Sequence, residues 1–305
     1  MNRFLEILEM EGSRCEAEAA YSFRKDRCWT VLNAENEDEE VRAGALVVFD
    51  TSMPSRYEIV ETFEFSIAAY KAFTENFHVV VDITGNVILR DNGERRVFPF
   101  TKGEFVHGLF QYPKGEIIAF GSDGSIFAMS EQKKRLGSTD ERDLRAGIAT
   151  KNGRAIFGGD DGALFELQDG SLNLIDIRGE PSIKSLGEET NGGLLIGCED
   201  GIAFRLDGDE LESLEGEFGT AFCIAQHEGL NLLGDDSYGV LEIQGSRILP
   251  KYPTGLAYNI ASQCGFLNIE AGCWIYVAHE GSWSEFQINP NKNALFEQIP
   301  LDFTL

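Results

Sequence analysis

Three cationic side chains recur at nearly constant spacing: His107, Arg145 and Lys184 lie 38 and 39 residues apart. Their types suit a clamp for an anion or carboxylate, with the planar Arg145 guanidinium as the bidentate member. The same charges would also serve to neutralise nearby acids and steady the segments that carry them. Acids are abundant: 51 Asp plus Glu stand against 26 Lys plus Arg, a formal charge of -25. Many fall in short runs beside turn-forming residues, namely Glu37, Asp38, Glu39 and Glu40, then Asp123, Asp160 and Asp161, Glu199 and Asp200, and Asp235 and Asp236. Aspartate suits tight turns because its side chain bonds its own backbone. Asparagine does the same without charge, so an acid at nearly every such turn calls for a further reason. Like charge gathered on one surface carries self-repulsion and suits the capture of a basic partner.

The chemistry of known catalytic motifs is not found. The four histidines (His78, His107, His227, His279) stand in no HxH or HExxH arrangement, so neither a dedicated zinc site nor any other metal site is expected. No GxSxG elbow, phosphate loop or GxGxxG fingerprint occurs, and neither an enzyme nor a cofactor is expected. The excess of acid disfavours nucleic acid and anionic membrane surfaces, both of which are bound mainly through Lys and Arg. Acidic residues from Glu6 onward and the lack of a continuous apolar stretch argue against a secretory signal, and no window reaches the length of a membrane span. The six cysteines (Cys15, Cys28, Cys198, Cys223, Cys264, Cys273) show no metal spacing and read as buried free thiols of a cytoplasmic protein.

The elements that must position these residues come from an internal repeat. Five segments share an apolar run, a polar turn ending in glycine, and a second apolar run: 79–90, 117–129, 155–167, 194–206 and 231–243. Their turn glycines, Gly85, Gly124, Gly162, Gly201 and Gly239, are 38 or 39 residues apart. Asp-Gly between short β-rich runs signals a two-residue hairpin, because both positions need positive φ. Further glycines at Gly115, Gly153 and Gly192 mark a hairpin on one side, and Gly170, Gly208 and Gly245 mark a turn on the other. Four antiparallel strands per repeat make a β-propeller blade. Weaker blades are expected over about 19–65 and 251–289, giving an all-β single domain over 1–305 with seven four-stranded blades. Residues 1–18 and 290–305, with FLEIL and ALFEQIPLDFTL as candidate strands, are expected to close the ring.

In period and strand order the chain resembles the WD40-like propellers, although it has neither their Gly-His nor their Trp-Asp pair, nor kelch or Asp-box signatures. The resemblance implies that the central hairpins share a face with the blade-joining loops, which add Asp140, Glu141, Asp143, Glu180, Glu215 and Glu217 to the acids. It also implies that His107, Arg145 and Lys184 stand on innermost strands at the channel mouth, with Ala68 and Ala221 at the equivalent places in neighbouring blades. Tyr252, between Pro250 and Pro253, and Trp283 are candidate interface anchors. Charge is uneven along the chain: residues 217–305 hold ten acids and three bases, residues 51–119 nine and seven. The expected function is a protein-binding propeller whose acidic face captures a basic partner, such as an immunity protein covering a toxin or nuclease domain. The alternative is an enzyme or sensor taking a small anionic or sugar ligand at the channel mouth.

Overall fold

A computed structural model describes residues 2–99, 105–112, 115–129, 133–139, 142–168, 170–177, 181–290 and 295–300. The strands form seven antiparallel sheets in sequential order, and the fold is a seven-bladed β-propeller. Two compact units divide the chain: residues 1–96 with 258–305, and residues 97–257.

The second unit contains the clearest repeats. Its first blade is β9 (Val106–Gln111), β10 (Ile117–Gly121), β11 (Ile126–Met129) and β12 (Lys133–Gly137). The next is β13 (Leu144–Ala149), β14 (Ala155–Gly159), β15 (Leu164–Gln168) and β16 (Ser171–Leu174). The third is β17 (Ile183–Glu188), β18 (Leu194–Cys198), β19 (Ala203–Asp207) and β20 (Glu210–Ser213). The fourth is β21 (Ala221–His227), β22 (Leu230–Asp235), β23 (Gly239–Gln244) and β24 (Arg247–Tyr252). In the first three blades Asp-Gly occupies two consecutive left-handed positions, with φ of 53° and 61° at Asp123–Gly124, 56° and 66° at Asp161–Gly162, and 60° and 70° at Asp200–Gly201. Each turn closes by a backbone bond from the fourth residue to the first, as from Ser125 N to Ser122 O at 3.1 Å. Second strands such as Ala155–Gly159 are buried along their whole length, as strands packed on both faces must be.

The first unit holds β1 (Arg14–Arg24), β2 (Arg27–Asn36), β3 (Val41–Asp50) and β4 (Met53–Phe63) in one blade. A second blade is β5 (Ile67–Thr74), β6 (Phe77–Asp82), β7 (Val87–Asp91) and β8 (Glu94–Phe98), whose last two residues fall past the unit boundary. The third is β25 (Asn259–Gln263), β26 (Phe266–Ala271), β27 (Trp274–His279) and β28 (Ser282–Ile288), extended by a fifth strand, β29 (Phe296–Ile299). The terminal strand expected in ALFEQIPLDFTL is therefore present as β29, while residues 301–305 lie outside the described residues. FLEIL is not a strand. It lies in helix α1 (Arg3–Glu9), capped by the Asn2 side chain, which accepts from Phe4 N at 3.1 Å. Phe4, Ile7 and Leu8 follow helical spacing and are buried on the first blade. All six thiols are free, but burial holds only for Cys15, Cys28 and Cys198; Cys264, in a turn with φ of 52°, is exposed.

Candidate functional site

In a blade of four antiparallel strands, the central hairpin and the start of the inner strand fall at the same end. In the second unit, bonds between successive blades gather these ends together: Asp123 N donates to Asp143 Oδ1 at 3.0 Å, and Gly201 N to Gly219 O at 2.8 Å. The inner strands begin with a repeated irregularity. Register jumps between Val106 and Gly108, between Leu144 and Ala146, and between Ile183 and Ser185 as each strand pairs with its neighbour. The extra residue in each case is one of the expected trio: His107, Arg145 or Lys184. A β-bulge leaves one residue unpaired and re-aims its side chain. Here the bulge turns all three cations toward the hairpin end.

What they meet there is acid. Arg145 forks onto Asp160, with Nε to Oδ1 at 3.3 Å and Nη2 to Oδ2 at 3.1 Å, and reaches Asp143 Oδ2 at 3.0 Å. Its Nη1 donates toward His107 Nε2 at 3.4 Å, and that nitrogen lies 3.6 Å from Asp143 Oδ2. Lys184 pairs with Glu199 at 3.1 Å. Hydrogen bonding to Asp160 raises the Arg145 pKa, while burial first and Arg145 second lower that of His107. Hydrogen bonds from Ser182 and Lys184 hold Glu199 below the usual carboxylate range. Two members of the trio are thus in contact, and Arg145 and Lys184 are each engaged by an acid of their own blade.

This pairing divides the acids expected on one face. The first acid of each run is engaged internally: Asp160 by Arg145, Glu199 by Lys184. Asp235 is wholly buried, with Oδ2 accepting from Gly219 N and Oδ1 from Ser237 N at 2.9 Å and Tyr238 N at 2.5 Å. The following acid is exposed: Asp161, Asp200 and Asp236, with Asp123 in the same place. Asp236 still accepts from Thr220 N, but Asp123, Asp161 and Asp200 have no cation in ion-pair range among the described residues. In the first unit, Asp38, Glu39 and Glu40 are exposed in the β2–β3 loop, and Glu37 pairs with Arg14 at 3.2 Å. Asp140, Glu141 and Glu180 lie outside the described residues. Tyr252 ends β24 half-buried, next to Lys251, which pairs with Glu242 at 2.7 Å.

Solved structures of similar arrangement cover nearly the whole chain. The computationally designed Ika8 protein matches at a TM-score of 0.62 and 14% identity, over 95% of this chain and 98% of that one. The WD40 β-propeller domain of Doa1 gives 0.62 and 11%, over 86% and 95%. The extracellular domain of a one-component system from B. thetaiotaomicron gives 0.55 and 15%, over 88% of this chain and 46% of that one. The likeness is one of fold. No family model and no curated protein sequence matches the chain. Propellers commonly bind proteins, and this fold is compatible with that role. Among the described residues no helix is long and apolar enough to cross a membrane, and no group of three or more His, Cys, Asp or Glu is placed to hold a metal ion.

Two equivalences differ from the sequence alignment, and one group was missed by it. The register jump of β21 falls between Ala221 and Cys223, so Phe222 takes the bulged place and Ala221 is buried. The reason is the longer turn of that blade, which carries three residues between Asp235 and Gly239. In β1 the bulge lies between Ala17 and Ala19 and presents Glu18, which no turn glycine marks. Asn33 Nδ2 donates to Glu18 at 2.7 Å, yet burial pushes the carboxyl up to about 7. Glu270, only 2% exposed, is also raised well above the usual range, by burial first and then by Glu18 and Glu16. Asp143, the shared partner of His107 and Arg145, had been counted only as one more joining-loop acid.

Proposed function

We propose that this protein is a non-enzymatic, cytoplasmic binding propeller that captures a basic protein through the hairpin ends of its blades. The observation that carries this reading is the trio Asp123, Asp161 and Asp200. They stand at equivalent left-handed turn positions in three successive blades, exposed and unpaired. The turn needs only a residue that tolerates positive φ, and asparagine meets that need. The carboxylates therefore act outward, where they speed encounter with cations and disfavour acidic competitors. Exposed Tyr238 and Phe222 at the same end supply apolar contact. The internal pairs of Arg145 and Lys184 hold that end in shape. In its most concrete form the partner is a toxin or nuclease domain whose cationic nucleic-acid-binding surface is covered, as by an immunity protein.

Affinity capture from the native cell tests this with two baits, the wild-type chain and the triple variant Asp123→Asn, Asp161→Asn, Asp200→Asn. The expected result is a basic protein held by the first, lost by the second and released by salt. Identical capture by both baits, or retention indifferent to salt, would overturn the reading.

A further inference from the structure

At the opposite end of the first unit, the seam between the β1–β4 and β25–β29 blades opens into a cavity of about 460 Å³. Along most of its length this seam is apolar and tight: Phe49 stacks on Phe296 at 4.2 Å and meets Phe286 edge-on at 5.1 Å. Two residues further along the same face of β28, Phe286 gives way to Ser284 and then Ser282. On β29, Phe296 gives way to Gln298. Small polar residues where a blade seam favours large apolar ones forgo packing contacts, and the gap is the consequence. The floor remains apolar, built of Phe266, Val277 and the His279 ring, which stacks on Phe266 at 4.1 Å and 19°.

The polar groups around this floor are poised rather than satisfied. Among the described residues, the side chains of Ser282, Ser284 and Gln298 make no hydrogen bond to the protein. His279 donates from Nδ1 to Gly265 O at 3.2 Å, so Nε2 is left as the acceptor, 3.9 Å from Glu280 Oε1. Lys25 stands on one wall, and Glu280 and Asp26 line the others. A charged ligand would meet both signs, whereas a neutral one would find donors and acceptors on every side of an apolar platform. Ligand sites are mostly concave and apolar with a few convergent polar groups.

We propose that this cavity binds a small neutral polyhydroxylated ring of the pyranose sugar class. The C–H face of the sugar lies on Phe266, His279 and Val277, and its hydroxyls bond Ser282, Ser284, Gln298 and His279 Nε2. The volume suits one sugar ring with its nearest waters. The site is far along the strands from the acidic hairpin ends and is independent of the partner proposed above.

The test is saturation-transfer NMR and calorimetry with D-glucose, D-galactose, D-mannose and N-acetyl-D-glucosamine, with glycerol as the ring-free control. At least one sugar is expected to bind saturably and to shift the Val277 methyl signals, while glycerol does not. Ser284→Leu should fill the gap, weaken that sugar at least about tenfold, and leave thermal stability unchanged or raised. Gln298→Ala, on the exposed edge strand, should weaken it several-fold without touching the fold. No saturable binding by any of the four sugars would overturn the proposal. So would equal binding of glycerol, or binding that survives Ser284→Leu.

Discussion

In residues 97–257 the bulged position at the start of each of the first three inner strands holds His107, Arg145 or Lys184, beside acids at 3.0–3.6 Å. In residues 1–96 the same position holds Glu18 and Ala68, with no cation. One unit keeps its carboxylates ionised by pairing them. The other buries Glu18 and Glu270 near each other and holds them partly protonated. The two strategies respond oppositely to pH. A carboxyl whose folded pKa is depressed, such as Glu166, Glu199 or Glu242, contributes stability that is lost as pH falls through the folded value. One whose folded pKa is raised contributes stability that is complete below the unfolded value near 4.5 and lost as pH climbs through the folded one.

The comparison breaks most visibly at the most buried ion pair of the second unit. Arg205 forks onto Glu189 at 2.9 and 3.0 Å and reaches Glu212 at 2.6 Å, while the Glu189 side chain is only 8% exposed. Arg205→Met should lower the unfolding free energy by about 3–5 kcal/mol, because it strands a buried charge. Denaturant melts at neutral pH check this, and a loss below about 1 kcal/mol would show that pairing is not what holds this unit. In the first unit Glu18→Gln should do the reverse. It should gain about 1–3 kcal/mol at pH 8 and nothing at pH 4, since the neutral amide removes the cost of ionising a buried carboxyl. Melting curves of both proteins across pH 4 to 8 should diverge above about pH 5. Parallel curves would place the proton elsewhere.

Arg145→Met is the third and smaller case. Its side chain is 35% exposed, so the pair with Asp160 contributes only about 1 kcal/mol. The sharper readout is His107, whose pKa Arg145 helps to depress and whose other charged neighbours are Asp143 and Asp160. Removing Arg145 should move the His107 titration upward, visible as a displaced imidazole NMR curve. An unmoved curve would mean that burial alone sets it.

How much of this was legible depends on whether a feature leaves a mark within one repeat. Asp-Gly did, because two consecutive positive-φ residues are costly for other side chains, and from it came the period, the blades and the place of the cations. The bulges did not, since an extra residue looks like any other until register is known. Hence Ala221 stood in for Phe222. The Glu18–Glu270 and Asp143 contacts cross from blade to blade, which no spacing inside a repeat reveals. Helix α1 was legible after all in Phe4, Ile7 and Leu8, but five residues also suit a strand, and length did not arbitrate.

The smallest effect on stability is expected where the effect on binding should be largest. Asp123, Asp161 and Asp200 touch no cation among the described residues, and asparagine tolerates φ near 55° as well as aspartate does. The triple Asn variant should therefore melt within about 0.5 kcal/mol of wild type. Removing three like charges from one end could even stabilise it slightly, most at low salt, where repulsion is least screened. A clear loss of stability would show that these carboxylates belong to the internal pairing that defines the rest of the unit. An unchanged melt with a cationic partner associating about tenfold more slowly would separate the two roles: the first acid of each turn holds the blade, and the second faces the partner.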